Sequence, residues 1–222
     1  MNDELRRSAA HILVADVESP ELSEDAAHHV LRVLRVGDHE PVTVTDGHGR
    51  WRSCHIAAAT VRAIGDVVVV ERDHRPTTIA VAIPKHDRPE WLVQKATELG
   101  IDRIVFLHAE RSVVRWDGDR AERHLTRLAR VAAEALMQSR QVWLPEIVGP
   151  EPAADVLPGA VAAEPDGRPV TAADRVIAIG PEGGWTPEEL ALAQDRVALG
   201  DAVLRVETAA LVACVEMRRL NH

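Results

Sequence analysis

Residues 179–190 read IGPEGGWTPEEL, and the reading of this stretch decides the architecture of the C-terminal half of the chain. The apolar run VIAI (176–179) stops at Gly180-Pro181-Glu182-Gly183-Gly184. Thr186, Pro187 and Glu189 then have the spacing of a capped helix start, with proline at the first helical position and an acid three residues after the cap. A strand that passes through glycines into a helix N-terminus is where open α/β sheets bind ligands. The glycines fit two accounts, a tight turn or a backbone that must lie against something. A phosphate cradle fits poorly: no Gly-Lys-Ser/Thr follows, and Glu182 puts a negative charge inside the loop. An acid there suits a ligand offering hydroxyls or a positive centre, and each such charge-assisted hydrogen bond is worth about 1.5–3 kcal/mol.

Working outward, TTIAVAIP (77–84) is a nearly continuous apolar run of the kind buried on both faces of a parallel sheet. RPEWLVQKATELG follows as a helix with Pro89 in its first turn and Gly100 as its stop, then IDRIVFLHAE (101–110) as a strand. Residues 117–139 form a long amphipathic helix, GAVAAE (159–164) and DRVIAIG (174–180) are strands, and a short strand VALG ends at 200. VETAALVACVEMRRL (206–220) closes the chain as a helix. This alternation predicts an α/β domain over 76–222. Residues 1–74 differ. HILVADV, PVTVTDG, WRSCHIAAATV and DVVVVER read as short strands, the last three separated by the glycine turns DGHGR and AIGD. Between the first two, Ser23 caps a helix whose apolar face is Ala26, Ala27, Val30, Leu31 and Leu34, ending at Gly37. The pattern predicts a small closed or nearly closed β-barrel with one inserted helix, joined to the second domain by a short linker at 73–76.

Composition narrows the function classes. The chain has 222 residues, 46% hydrophobic and 27% charged, with five Trp, one Phe and no Tyr, so Ala, Val and Leu must fill most of the core. Its two cysteines form no Cys-x-x-Cys pair, and the start of the sequence has no long apolar core with a cleavage site. No run reaches membrane-span length, and a reducing cytoplasm is the expected compartment. The net charge of −9 argues against a non-specific nucleic-acid coat. Residues 75–140, however, carry 12 Lys/Arg against 9 Asp/Glu, so a polyanion is to be met by local arginines. The 11 histidines include no His-Glu-x-x-His, and no metal site is expected. Gly-x-Ser-x-Gly and Gly-x-Gly-x-x-Gly are missing too, which argues against a serine nucleophile and NAD chemistry.

Two further pieces stand out. In LGDAVLRVETAALVACVEMRR (199–219), Arg205 and Glu207 flank the boundary between a short strand and the last helix. Thr208 is placed to cap that helix, and Ala209, Ala210 and Ala213 give it a face of low bulk. An exposed Arg205–Glu207 ion pair is the alternative to a functional role there. In RPEWLVQKATELG, Gln94, Lys95 and Glu98 share or adjoin a polar face.

The order of DAAHHVLRVLRVGD, DRPEWLVQKATELGIDRI, RSVVRW, AAEALMQSR, LPEI, IGPEGG and LG-x-x-VLR-x-ETA resembles the family of ribosomal RNA small-subunit methyltransferase E over residues 20–218. The resemblance implies a SPOUT-class methyltransferase that moves a methyl group from S-adenosyl-L-methionine to N3 of a uridine in 16S rRNA, with the assembled small subunit as the expected partner. It implies a PUA-like, RNA-binding barrel over 1–74, an α/β domain over 76–222 with a deep trefoil knot, and a homodimer. The cofactor would be lined by Ile179, Gly180, Pro181, Glu182, Gly183 and Gly184, by Leu199, Gly200 and Leu204, and by a third loop after the strand ending near Ala163. Arg205 is the expected stabiliser of charge on uracil O2 and O4, with Glu207 orienting it or accepting the N3 proton and Glu98 a second candidate for that duty. Arg32 and Arg35, three apart on one helix, and Arg111, Arg115 and Arg140 are the expected phosphate contacts. The sequence departs from the family at Val206, where threonine is common, and at Leu136 and Met137, where the family is more polar. A related enzyme acting on another RNA, or an RNA-binding module with a vestigial pocket, are the rival readings.

Overall fold

The computed structural model describes residues 2–72 and 75–221. The chain divides into two compact units, and the expected linker at 73–76 falls in part on Asp73 and His74, outside the described residues.

The N-terminal unit begins with α1 (Asp3–Arg7), capped by Asn2, and β1 (Ala10–Leu13). A short helix α2 (Glu24–His28) starts at the Ser23 cap. It widens into a π-helical turn (His29–Val33) and stops at Arg35, which adopts φ 56°, rather than at Gly37. The widened turn displaces the expected apolar face: Val30 is buried, but Leu34 is 43% exposed. Three antiparallel strands follow, β2 (Pro41–Thr45), β3 (Arg50–Ala57) and β4 (Thr60–Val69), with β1 parallel to β2. The ladder order among the described residues is β1-β2-β3-β4. The β3–β4 connection is the pair Ala58-Ala59, both with positive φ (50° and 62°), and Gly65 lies inside β4. The glycine signal in AIGD therefore marked strand interior, and the turn fell on two alanines in the geometry that primed hairpin turns require.

Residues 133–144 also belong to this unit, which the expected boundaries 1–74 and 76–222 did not foresee. Backbone pairing explains why: Gly49 N–H donates to Val142 O at 2.8 Å, and Leu144 N–H to Gly47 O at 2.8 Å. Val142 joins Leu5 and Trp51 in a small apolar cluster. His11 is buried beside it, bonded to Thr43 Oγ1 at 2.8 Å and to Gln141 O at 3.0 Å. Burial holds its pKa down at about 4, so the ring is neutral, and the carbonyl partner requires the proton on Nε2.

The second unit is an all-parallel six-stranded sheet. In chain order it runs β5 (Thr78–Ala82), α3 (Arg88–Glu98), β6 (Arg103–His108), α4 (Gly118–Ser139, whose last turns are among the residues of the first unit) and β7 (Glu146–Pro152). It continues with α5 (Ala153–Val156), a 3-10 turn, β8 (Val161–Pro169), β9 (Val176–Ile179), α6 (Pro187–Leu192), β10 (Asp195–Ala198) and α7 (Val206–Leu220). The strand order is β10-β8-β9-β5-β6-β7. β7 was not expected, since Pro150 and Pro152 weaken a strand reading, but as an edge strand it can lack those donors.

Register explains how a chain poor in aromatics fills this core. Ile104, Ile79, Ile177 and Val161 are neighbours across β6, β5, β9 and β8, while one residue further on Val105, Ala80, Ala178 and Ala162 form a row of mostly low bulk. That second row packs with Leu157 and Trp185, whose side chains take up the space the alanines leave. On the chain's return from β10, α7 packs on α3, β5 and β9 through Ala210, Ala213 and Met217, all fully buried.

Candidate active site

β8, β9 and β10 are neighbours in the sheet, and the loops after β9 and β10 meet a looped-out stretch inside β8, residues 163–167, where its pairing with β10 shifts register; the strand expected to end near Ala163 thus continues to Pro169. Between these loops lies a cavity of about 440 Å³ lined by Ala163–Pro165, by Ile179–Glu182 and Gly184, and by Leu199, Gly200 and Ala202–Val206, with Ala209 of α7 beneath. A volume of this size is ordinary for a small-molecule site, and its position outside the strand carboxyl ends is the usual one for open α/β sheets.

The loop after β9 is fixed from several directions. Gly184 N–H donates to Pro181 O at 2.8 Å, and Gly184 has φ +70°, a conformation that side chains with a Cβ adopt at a cost. At Gly180 a Cβ would lie 2.9 Å from the Trp185 indole, so the strand end and the buried ring can approach only because that position is bare. Arg111 Nη1 donates to Gly183 O at 3.1 Å and to Trp185 O at 3.2 Å. The capping box at the start of α6 is complete: Glu189 N–H donates to Thr186 Oγ1 at 3.1 Å, and Thr186 N–H donates to Glu189 Oε2 at 2.9 Å. Glu189 Oε1 also accepts the Glu110 N–H at 2.8 Å, which ties the loop to the residues after β6. The glycines therefore serve both a tight turn packed on Trp185 and the cavity that the same turn lines.

Of the residues expected to hold a cofactor, Ile179, Gly180, Pro181, Glu182, Gly184, Leu199, Gly200 and Leu204 line the cavity; Gly183 stands beside it against Arg111. Arg205 is exposed, lines the cavity and occupies the N-cap position of α7 without a side-chain cap bond. The helix thus begins at Val206, and Thr208 is not its cap. Arg205 and Glu207 do not form an ion pair among the described residues. Glu207 is 8% exposed, and its Oε1 lies 3.4 Å from Arg88 Nη1 at the start of α3. Its Oε2 is buried without a hydrogen-bond partner among the described residues. Glu207 does not line the cavity, nor does Glu98, whose carboxylate receives Lys95 Nζ at 2.8 Å. The spacing of Arg205 and Glu207 in sequence brought them to one helix end but turned them to different neighbours.

The five expected phosphate contacts are dispersed. Arg32 and Arg35 are exposed, but the π-helical turn and the left-handed Arg35 remove the shared helical face. Arg111 is committed to loop carbonyls, and Arg115 Nη2 reaches Ala109 O at 3.4 Å. Arg140 belongs to the N-terminal unit and donates to Ser8 Oγ at 2.6 Å.

Glu164 is the cavity residue whose role the sequence did not mark. Burial, with Asp166 adding to it, raises its carboxyl pKa above the ordinary range. Its signal is positional, since it follows the apolar segment 161–163 at the point where β8 loses its pairing with β10. Glu164 and Glu182 are the acids of the lining and Arg205 its one base, beside Ile179, Leu199, Val203 and Leu204. That donor set suits a nucleoside with hydroxyls and a positive centre, which carboxylates attract, and it opposes the several phosphates of ATP or NAD. Among the described residues no group of three His, Cys, Asp or Glu side chains is placed to hold a metal ion.

Both units point to one class, the RNA methyltransferases. A family model described as an RNA methyltransferase domain matches residues 71–218, and one described as an RNA methyltransferase PUA domain matches residues 22–64. A Mycobacterium bovis protein named ribosomal RNA small subunit methyltransferase E is 32% identical, over 85% of this chain and 82% of its own length. A Synechocystis protein of the same name is 30% identical over 87% and 70%. Among solved structures, a probable rRNA-methyltransferase from Porphyromonas gingivalis is 31% identical with a TM-score of 0.77, covering 96% of this chain and 98% of that one. A putative methyltransferase from Legionella pneumophila, solved with the cofactor SAM bound, is 26% identical with a TM-score of 0.81 over the same shares. The chain belongs to the ribosomal RNA small subunit methyltransferase E family.

Proposed function

We propose that the protein methylates N3 of a uridine in 16S rRNA, using S-adenosyl-L-methionine bound in the three-loop cavity. The observation that carries this reading is the meeting of the 180–184 loop and the 199–205 segment around a nucleoside-sized space with Arg205 at its edge. When bound, S-adenosyl-L-methionine supplies an electrophilic sulfonium methyl. The chain's part is to hold that group, orient the base and manage charge. Backbone of the 180–184 loop and the apolar side chains take the adenosyl portion, while Glu164 and Glu182 accept hydrogen bonds from hydroxyl or ammonium groups. The N3 proton is lost to water at the cavity edge, and Arg205 stabilises the negative charge that this spreads onto O2 and O4. Orientation of the base contributes several kcal/mol more. Glu207 acts at one remove: with Arg88 it fixes the first turn of α7, and so the position from which Arg205 projects.

The reading includes a homodimer, a cytoplasmic protein and a threaded C-terminal segment. Support for the last comes from α7, which packs back onto β5 and β9 after the chain has visited β10 on the far side of β8. No described helix is long and apolar enough to cross a membrane. The assembled small subunit is the proposed substrate form.

The deciding experiment measures modified nucleosides in 16S rRNA from a deletion strain by mass spectrometry. Loss of 3-methyluridine at one site, restored by the gene, is expected; an unchanged nucleoside profile overturns the assignment. Calorimetric titration of the purified protein should show heat with S-adenosyl-L-methionine and none with ATP or NAD.

A further inference from the structure

The charged face of α4 is used by neither the core nor the cavity. Leu128 and Ala132 point into the protein and are at most 1% exposed, whereas Arg120, Arg123, Arg127 and Arg130 are all exposed. Their spacing of three, four and three residues places them on one stripe of an α-helix, about 15 Å long at about 1.5 Å per residue. Arg123, Arg127 and Arg130, with Asp119, Glu122 and Thr126, line a shallow concavity of about 410 Å³. The acids sit at its N-terminal end, and the outward positions from Arg123 to Arg130 include none.

Neutralisation within the protein is the ordinary fate of such a face, and here it is incomplete. Arg127 Nε lies 3.1 Å from Glu90 Oε1, a contact that orients one guanidinium while leaving its side chain 68% exposed. Arg120, Arg123 and Arg130 form no ion pair among the described residues, although Asp119 stands four residues before Arg123. The positive field is felt by a neighbour. His124, stacked on Trp116 at 4.4 Å, has its pKa lowered by burial first and then by Arg120, with Arg127 and Arg123 adding to it and Glu90 opposing. In a chain of net charge −9, a row of four guanidiniums of which only Arg127 is paired among the described residues marks a place for an anion with regularly spaced charges.

We propose that the α4 stripe Arg120-Arg123-Arg127-Arg130 is an RNA-docking surface that takes backbone phosphates of the substrate. It rests on the RNA-methyltransferase reading for the identity of the polyanion, and it supplies phosphate contacts that Arg111, Arg115 and Arg140, committed to protein acceptors, are poorly placed to make. Guanidinium groups at this spacing position a strand without reading its sequence.

The test uses the full-length protein and the variant R123Q/R130Q, which leaves the Arg127–Glu90 contact in place. Affinity for in vitro transcribed small-subunit rRNA is measured across a salt series, beside calorimetric titration with S-adenosyl-L-methionine. We expect unchanged cofactor affinity, RNA binding weakened about ten-fold at low salt, and a log–log salt slope shallower by about 1 to 2. Wild-type slope and affinity in the variant overturn the proposal. The charge-retaining R123K/R130K protein should keep the wild-type slope; if it loses as much as the glutamine variant, the change is one of helix structure and the docking surface is refuted. Should both lysine and wild-type proteins show the slope yet transfer no methyl group to assembled small subunits from the deletion strain, the surface stands and the assigned methyl acceptor fails.

Discussion

The two principal walls of the cavity are built on opposite plans. Residues 180–186 are held by a turn bond, by Arg111 on two carbonyls, by a buried indole and by a capping box shared with Glu110. Residues 199–204 have none of this: among the described residues no side-chain or loop hydrogen bond anchors them, and Val203 is 90% exposed. The first wall is therefore in its binding shape before a ligand arrives, which spares the ordering cost of association. The second wall ends in Arg205, the group proposed to meet developing charge, on a segment that no hydrogen bond among the described residues anchors. In the proposed reading the first wall is the fixed part of the cofactor site, and the second adds Leu199, Gly200 and Leu204 to it before ending in Arg205.

That division can be broken most directly at Arg205. Arg205→Ala should lower methyl transfer by about 10²–10³-fold, with cofactor affinity from calorimetry within about two-fold of wild type. Equal losses in both would give Arg205 a binding role and dissolve the contrast. Gly184→Ala tests the other wall. Forcing a Cβ into φ +70° costs about 1–2 kcal/mol, and if the loop shifts to relieve it, cofactor affinity falls about ten-fold while the single-turnover rate at saturation changes little. Thr186→Ala removes one half of the capping box. A loss of about 1 kcal/mol is expected, seen as a Tm lower by about 2–4 °C. The smallest effect belongs to Val203→Ser, which should leave stability within about 0.5 kcal/mol and cofactor affinity unaltered. A large loss there would mean that the exposed wall is ordered by contacts in the functional state.

The same contrast governs what the sequence could reveal. The fixed wall was legible because its devices are local: Thr186, Pro187 and Glu189 form their box within four residues, and strand VIAI is apolar throughout. Most strands and helices of the second unit were legible for the same reason, their periods being unbroken, whereas β7, interrupted by Pro150 and Pro152, and the one-turn helix α5 were not. Long-range choices were not. Nothing in VLRVETA indicates that Glu207 turns to Arg88 on α3, because that pairing exists only once α7 packs on α3. Nor do the positions of Arg111 and Gly183, 72 residues apart, betray their hydrogen bond. In the N-terminal unit, local signals pointed the wrong way. Gly65 and Gly37 read as turn and stop, but positive φ fell on Ala58, Ala59 and Arg35, where strand register and helix widening demanded it. The association of residues 133–144 with that unit rests on backbone pairing to Gly47 and Gly49, which side-chain periodicity does not encode.

Glu189 carries one last implication. Its two oxygens and its own N–H are all engaged at once, to Thr186 on one side and to the peptide after β6 on the other. Adding or deleting a single residue between Gly184 and Glu189 would rotate that carboxylate by about 100° around the helix axis and release both partners. Length variation among homologues should therefore gather in 199–204, leaving the 184–189 interval constant.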